Sequence, residues 1–153
     1  MPTSAAYIAV IGASAATAEQ YRAAQAVGAA LADAGAVLVC GGRGGVMEAA
    51  CRGAAEHGGV AVGLLPGSDR REANQWVTIA LPTGIGELRN GLIVRAADAV
   101  IAVGGAYGTL SEIALALAAG KPVVGVADTW EIDGVERVDS PKEAVERALT
   151  LAS

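Results

Sequence analysis

Two glycine-rich turns carry the chemistry legible in this chain. Val100-Ile101-Ala102-Val103 reads as a buried strand that runs straight into Gly104-Gly105-Ala106-Tyr107-Gly108-Thr109 and then a helix containing Glu112. Val37-Leu38-Val39-Cys40 likewise runs into Gly41-Gly42-Arg43-Gly44-Gly45, followed by the helical Val46-Met47-Glu48-Ala49-Ala50. Glycine lets backbone N–H groups approach an anion with no Cβ in the way, and the helix start behind the turn adds roughly half a positive charge at the same place. Strand, glycine turn and helix start, in that order, are the parts of a phosphate cradle. Thr109-x-x-Glu112 also matches a capping box, in which two side chains serve the helix's own orphan donors. A cap does not require Gly104, Gly105 and Gly108, so the glycines favour an anion-facing loop.

On this reading the N–H groups of Gly105–Thr109 and Gly42–Gly45 hold a phosphate, with Gly41 and Gly104 opening the two turns. Ser14, in the turn after the first strand, and the Thr109 hydroxyl add hydrogen bonds, and Arg43 offers a charge-assisted contact. Arg89 falls in the first turns of a helix near the same edge, and Asn74 lies in a polar segment, 66–75, that is a lid, an interface loop or a long connection. For Arg43 and Arg89 the competing reading is a solvated surface arginine.

The elements that must position these residues follow from periodicity. Short β-branched runs alternate with Ala-rich segments of helical period, and glycine repeatedly marks the return from helix to strand. The pattern predicts strands at Tyr7–Ile11, Val37–Cys40, Val60–Leu65, Val77–Leu81, Ala99–Val103 and Val123–Val126. It predicts helices at Ala18–Ala34, Gly45–Glu56, around Leu88, Leu92 and Ala96, at Thr109–Ala119 and at Ser140–Leu151. Continuous apolar strands joined by amphipathic helices imply a three-layer, doubly wound Rossmann-like α/β fold, with a mostly parallel sheet of six or seven strands and helices on both faces. Ligands in such sheets bind at the C-terminal strand edge, where strand order reverses, and the turns after strands one, two and five converge there.

At 153 residues the chain is read as a single domain, 1–153. A hydrophobic content of 53% with no Phe describes a core of Ala, Val, Leu and Ile. No segment reads as a secretion signal or membrane span, so a cytoplasmic location and no membrane partner are expected. A net charge of −5, with no basic run longer than Arg70-Arg71, lacks the footprint of a nucleic-acid binder. Cys40 and Cys51 sit at predicted buried positions and read as small hydrophobes, and the single histidine, His57, reads as a helix C-terminal residue. No metal site is expected, for want of a ligand set.

Common occupants of this fold are disfavoured. The turn Gly12-Ala13-Ser14-Ala15-Ala16-Thr17 lacks the later glycines of a dinucleotide fingerprint, and Val39-Cys40-Gly41 stands where an acidic residue would hold a ribose. The only Gly-Lys pair, Gly120-Lys121, precedes a proline and a strand, which excludes a Walker loop. Lys121 and Lys142 lie away from the pocket edge, so Schiff-base chemistry, and with it a lysine decarboxylase, has no candidate residue.

The segment Gly104-Gly105-Ala106-Tyr107-Gly108-Thr109-Leu110-Ser111-Glu112 resembles the Pro-Gly-Gly-x-Gly-Thr-x-x-Glu signature of the LOG family, within the SLOG superfamily. Cys40-Gly41-Gly42-Arg43-Gly44-Gly45-Val46-Met47 is similar to that family's Gly-Gly-Gly-x-x-Gly-Leu-Met turn, and Arg89 matches the arginine of its Arg-Lys motif. The signature's proline is absent and Asn90 stands in place of the lysine, which makes the chain resemble the short branch that includes molybdenum cofactor carrier proteins.

The resemblance implies a pocket for a small phosphorylated ligand, with no cofactor required for function. One implied activity is hydrolysis of the N-glycosidic bond of a nucleoside 5′-monophosphate, a phosphoribohydrolase in which Arg89 and Glu112 are the catalytic pair. Glu112 would stabilise an oxocarbenium-like state and orient ribose hydroxyls or water, while Arg89 positions Glu112 or stabilises charge on the departing base. The alternative is a non-catalytic carrier or sensor of a phosphorylated pterin such as molybdenum cofactor. Self-association as a homodimer or tetramer is also expected, from the apolar small-residue helices around Ala49–Ala55 and Leu92–Ala97 and from the habit of LOG-like proteins.

Overall fold

The computed structural model describes residues 4–153. Seven strands form one sheet: β1 Tyr7–Gly12, β2 Val37–Cys40, β3 Val60–Leu65, β4 Ile79–Pro82, β5 Ala99–Val103, β6 Val123–Val126 and β7 Val135–Arg137. Every pairing is parallel, and the strand order is β4-β3-β2-β1-β5-β6-β7. The central strands are apolar at nearly every position because helices cover both faces, as a parallel sheet requires. All five residues of β5 are buried.

Five helices complete the fold: α1 Ala18–Asp33, α2 Val46–Glu56, α3 Arg89–Ala96, α4 Tyr107–Ala118 and α5 Pro141–Ala152. On one face Ile8 and Val10 of β1 pack with Val27 and Leu31 of α1, Ala50 of α2 and Ala148 of α5. On the other, Ala9 and Ile11 pack with Ile93 and Val94 of α3 and Ile113 and Ala116 of α4. The alternation along β1 thus splits the core in two, one part for each face. Helix α1 starts with a complete capping box, Gln20 N–H donating to Thr17 Oγ1 (3.1 Å) and Thr17 N–H to Gln20 Oε1 (3.1 Å).

The elements depart from the sequence pattern in three places. Strand β4 begins at Ile79 rather than Val77, because the Thr78 hydroxyl accepts the Ala61 N–H (2.9 Å) where a ladder bond would otherwise form. Helix α4 begins at Tyr107 rather than Thr109, with the Ala106 N–H donating to Thr109 Oγ1 (3.4 Å); Glu112 is therefore not part of a capping box. The seventh strand, Val135–Arg137, is short, with charged side chains at two of its three positions, and carries no apolar periodicity.

Small residues set the distance between α1 and α2. A Cβ on Gly28 would overlap the Ala50 carbonyl oxygen, and one on Gly53 would overlap that of Gln25, so the two backbones are in direct contact. Gly28→Ala gains helix propensity of about 1 kcal/mol, yet forces the helices apart at a cost of typically 1–3 kcal/mol. Urea unfolding is expected to show a net loss of stability for Gly28→Ala, and for Gly53→Ala by the same overlap.

Candidate functional site

The strand order reverses between β1 and β5, and the loops leaving their C-terminal ends diverge to opposite faces of the sheet. A cleft of about 550 Å³ opens there, within the range of small-molecule sites. Five loops line it: Gly12–Ala15 after β1, Arg43, Gly44 and Met47 after β2, Pro66 after β3, Glu87, Arg89 and Asn90 after β4, and Ala106, Gly108, Thr109 and Glu112 after β5. The turns that the sequence pattern expected to converge do share this edge. The pattern did not single out Met47, Pro66 or Glu87; Glu87 lies in a single 3-10 turn, Gly86–Leu88, which has no periodic signal.

The predicted glycines divide by task. Gly44 and Gly108 face the cleft, and a Cβ on Gly108 would meet nothing within 4 Å. Gly41 makes room inside the protein, since a Cβ there would overlap the Arg89 guanidinium. Gly42 (φ +74) packs against the Gly63 backbone, and Gly45 (φ +65) sits against the Ala13 and Ser14 carbonyls, where the Val46 N–H donates to Ala13 O (3.0 Å). Gly104 (φ +60) donates its N–H to Val126 O (2.9 Å), and Gly105 lies against the Trp130 indole. These four set the loop paths behind the lining.

Among the described residues, the N–H groups of Arg43, Gly44 and Gly45 have no protein acceptor. Those of Tyr107, Gly108 and Thr109 precede the first intrahelical bond, Leu110 N–H to Ala106 O (3.0 Å). Two sets of orphan donors thus border the same cleft, which is the arrangement that holds a phosphate. Ser14 lines the cleft with an exposed side chain. Arg43 lines it as well and pairs with Glu72 (3.3 Å), half exposed.

Asn74 lies behind the loop rather than in the cleft wall. Its N–H donates to Gly42 O (2.8 Å), its Nδ2 to Arg43 O (2.8 Å), and its Oδ1 accepts the Trp76 N–H (2.9 Å). Its backbone N–H and its Nδ2 hold the 41–45 turn, while Oδ1 serves its own loop. Beneath that turn the Cys40 and Cys51 sulfurs are 3.4 Å apart, and the Gly42 N–H donates to Cys40 Sγ (3.3 Å). Both thiols are free and buried. The Cys51 thiol bonded to Cys40 holds Cys40 below the usual thiol range, and the same contact with burial pushes Cys51 up.

Arg89 and Glu112 are the buried charged groups of the cleft, at 7% and 9% exposure. Arg89 Nη1 donates to Leu64 O (3.1 Å), while its Nε is buried without an acceptor. Burial depresses the guanidinium pKa, although Glu112, Glu87 and Cys40 favour its charge. Glu112 has no hydrogen-bond donor among the described residues. Burial pushes its carboxyl up to about 7, Glu87 adds to the rise, and Arg89 opposes it. No ion pair within 4 Å joins the two, so they act on each other across the cleft. An orphaned Nε and a carboxyl without a donor form an unfinished polar network, which lacks an acceptor for the one and a hydrogen-bond partner for the other.

His57 lies elsewhere, with Nδ1 2.8 Å from Asp33 Oδ1. Among the described residues no group of three or more His, Cys, Asp or Glu side chains is placed to hold a metal ion, and no helix is long and apolar enough to cross a membrane.

The model of the SLOG cluster4 family matches residues 5–151. An uncharacterized protein of Archaeoglobus fulgidus is 45% identical over 138 residues, covering 90% of this chain and 91% of that one. The structure of the molybdenum cofactor binding protein from the phototrophic bacterium Rippkaea orientalis superposes with a TM-score of 0.93 at 33% identity, covering 99% of this chain and 100% of that one. The molybdenum cofactor carrier protein from Chlamydomonas reinhardtii gives a TM-score of 0.88 at 32% identity, covering 96% and 98%. DNA processing protein A from Streptococcus pneumoniae is similar in fold alone, with a TM-score of 0.75 at 19% identity over 94% of this chain and 61% of that one.

The raised Glu112 pKa links stability to pH. The native state keeps this proton up to about pH 7, whereas the unfolded chain releases it near 4.5. Native protein therefore binds more protons across that window, and its stability falls as pH rises through it, then levels off above pH 7. Relative to Glu112→Gln, the wild type is expected to lose up to about 3 kcal/mol between pH 4.5 and 7. Urea titrations of both proteins at a series of pH values check this; parallel pH profiles would contradict it.

Proposed function

The chain belongs to the SLOG cluster4 family, and on that premise we propose that its cleft binds and carries a phosphorylated pterin of the molybdenum cofactor type, without catalysing a reaction on it. The observation that carries this reading is the pairing of two orphan N–H sets with a buried, under-bonded Arg89 around one cleft. The phosphate lies between the 43–45 turn and the start of α4, held by backbone donors and the Thr109 and Ser14 hydroxyls. Arg89 supplies fixed positive charge beneath it. Polar edges of the ring system meet Asn90, Glu87 and the Glu112 carboxyl, which donates a proton when neutral and accepts one when ionised. Similarity over nearly the whole chain to a molybdenum cofactor binding protein and a carrier protein supports this assignment over the enzymatic one.

A second reading is favoured by one observation, the near-neutral Glu112 facing Arg89. A buried carboxyl of that kind suits hydrolysis of a nucleoside 5′-monophosphate: it stabilises positive charge at C1′ as the bond to the base breaks and takes a proton from the water that attacks C1′, releasing base and ribose 5-phosphate. The two readings separate on what the protein holds. Protein purified from its own host and then denatured is expected to release a fluorescent pterin of matching mass. An empty pocket together with release of ribose 5-phosphate from nucleoside monophosphates, abolished by Glu112→Gln, would overturn the carrier reading.

We further propose that the chain works as a homodimer or tetramer. Five of the exposed large hydrophobic residues, Ile79, Leu81, Ile85, Leu88 and Leu92, fall in one segment spanning β4 and the start of α3, and Leu88 is 77% exposed. Apolar surface of this kind is commonly buried by a second copy under twofold symmetry. Light scattering over a dilution series is expected to show a species at least twice the monomer mass at micromolar concentration; a stable monomer there would refute the assembly.

A further inference from the structure

The chain has five aromatic residues in all, two Trp and three Tyr, and two of them meet at the lip of the cleft. Tyr107 opens α4, between the lining residues Ala106 and Gly108, and is 83% exposed. Its ring centroid is 6.1 Å from that of Trp130, with the planes inclined by 32°. Trp130 is itself fixed: its Nε1–H donates to the Ala106 carbonyl (3.2 Å), and its indole occupies the space that a Cβ on Gly105 would need.

The loop that delivers Trp130 is strained. Ala127 and Asp128, directly after β6, both adopt φ of 58°, a left-handed conformation that costs an ordinary residue free energy. Next to them the Thr129 hydroxyl is buried without a partner. The loop thus gives up backbone freedom and a hydrogen bond while placing one indole against the phosphate turn. Core packing does not explain Tyr107, most of whose ring stands in solvent.

We propose that Tyr107, backed by Trp130, is a stacking platform for the flat heterocycle of a ligand whose phosphate lies at the start of α4. The proposal rests on the cleft being a site for a phosphorylated ring compound and adds the group that selects for the ring. The residues that hold phosphate are mostly backbone and do not distinguish one phosphorylated molecule from another. An aromatic face one residue away does, because stacking rewards a planar π system and gives nothing to inorganic phosphate. An exposed aromatic held by a second one loses little side-chain freedom when the ligand arrives.

Calorimetric titration of wild type, Tyr107→Ala and Tyr107→Phe with two probes, inorganic phosphate and 6-hydroxymethylpterin phosphate, tests the platform. Tyr107→Ala is expected to weaken the pterin phosphate by roughly tenfold or more while leaving inorganic phosphate unchanged, and Tyr107→Phe to bind both as wild type does. Quenching of the pterin's own fluorescence on binding is expected in wild type and Tyr107→Phe, and is reduced in Tyr107→Ala. Undiminished pterin affinity in Tyr107→Ala overturns the platform and leaves the phosphate cradle standing. An equal loss for both probes also overturns it, since Tyr107 would then act on the turn. Failure of wild type to bind either probe overturns the cleft reading and the platform with it.

Discussion

The constraint on which the structure depends is the reversal of strand order at β1. Because every strand is parallel, each crossover must pass over one face, and the chain covers the first face before it turns back past β1 to cover the second. The loops leaving β1 and β5 part to opposite sides, and the cleft opens in the gap between them. Water-facing backbone, glycine turns and the polar side chains all collect in that gap because the rest of the sheet edge is occupied by packing.

Two buried charges border the gap. An arginine and a glutamate held at 7% and 9% exposure cost solvation free energy, and neither is fully repaid by its neighbours. Arg89 has one carbonyl at 3.1 Å and an idle Nε, and Glu112 has no donor among the described residues. Were the pair structural, a direct ion pair would satisfy both. Their separation leaves each with unused hydrogen-bonding capacity, and burial leaves Glu112 titrating near neutral pH.

Support behind the site is as specific as the site. Asn74 ties the 41–45 turn to the loop before β4 with two hydrogen bonds, and the Ala13 carbonyl ties the β1 loop to the start of α2. Gly41 yields its Cβ space to Arg89, and Gly105 yields its own to Trp130. Asn74, Gly41 and Gly105 shape the cleft through the loops they hold rather than by lining it.

The α/β layering, six of the seven strands and the two glycine turns were legible in sequence because each depends on local rules. Apolar strand runs, helical period and glycine after a strand are properties of contiguous residues, and the sheet merely brings the turns to one edge. What sequence could not decide was which glycine faces the cleft and which faces protein: Gly44 and Gly108 against Gly41 and Gly105 look alike as letters, and only the approach of Arg89 and Trp130 from elsewhere in the chain separates them. The same holds for Asn74, whose polar groups are used by a loop 31 residues away, and for Thr109-x-x-Glu112, where the helix starts two residues early and frees the glutamate. Burial, and with it the shifted titration of Glu112 and Arg89, is likewise a product of long-range packing: local sequence supplies the charge, but the dielectric around it is set by residues that meet only when the sheet closes.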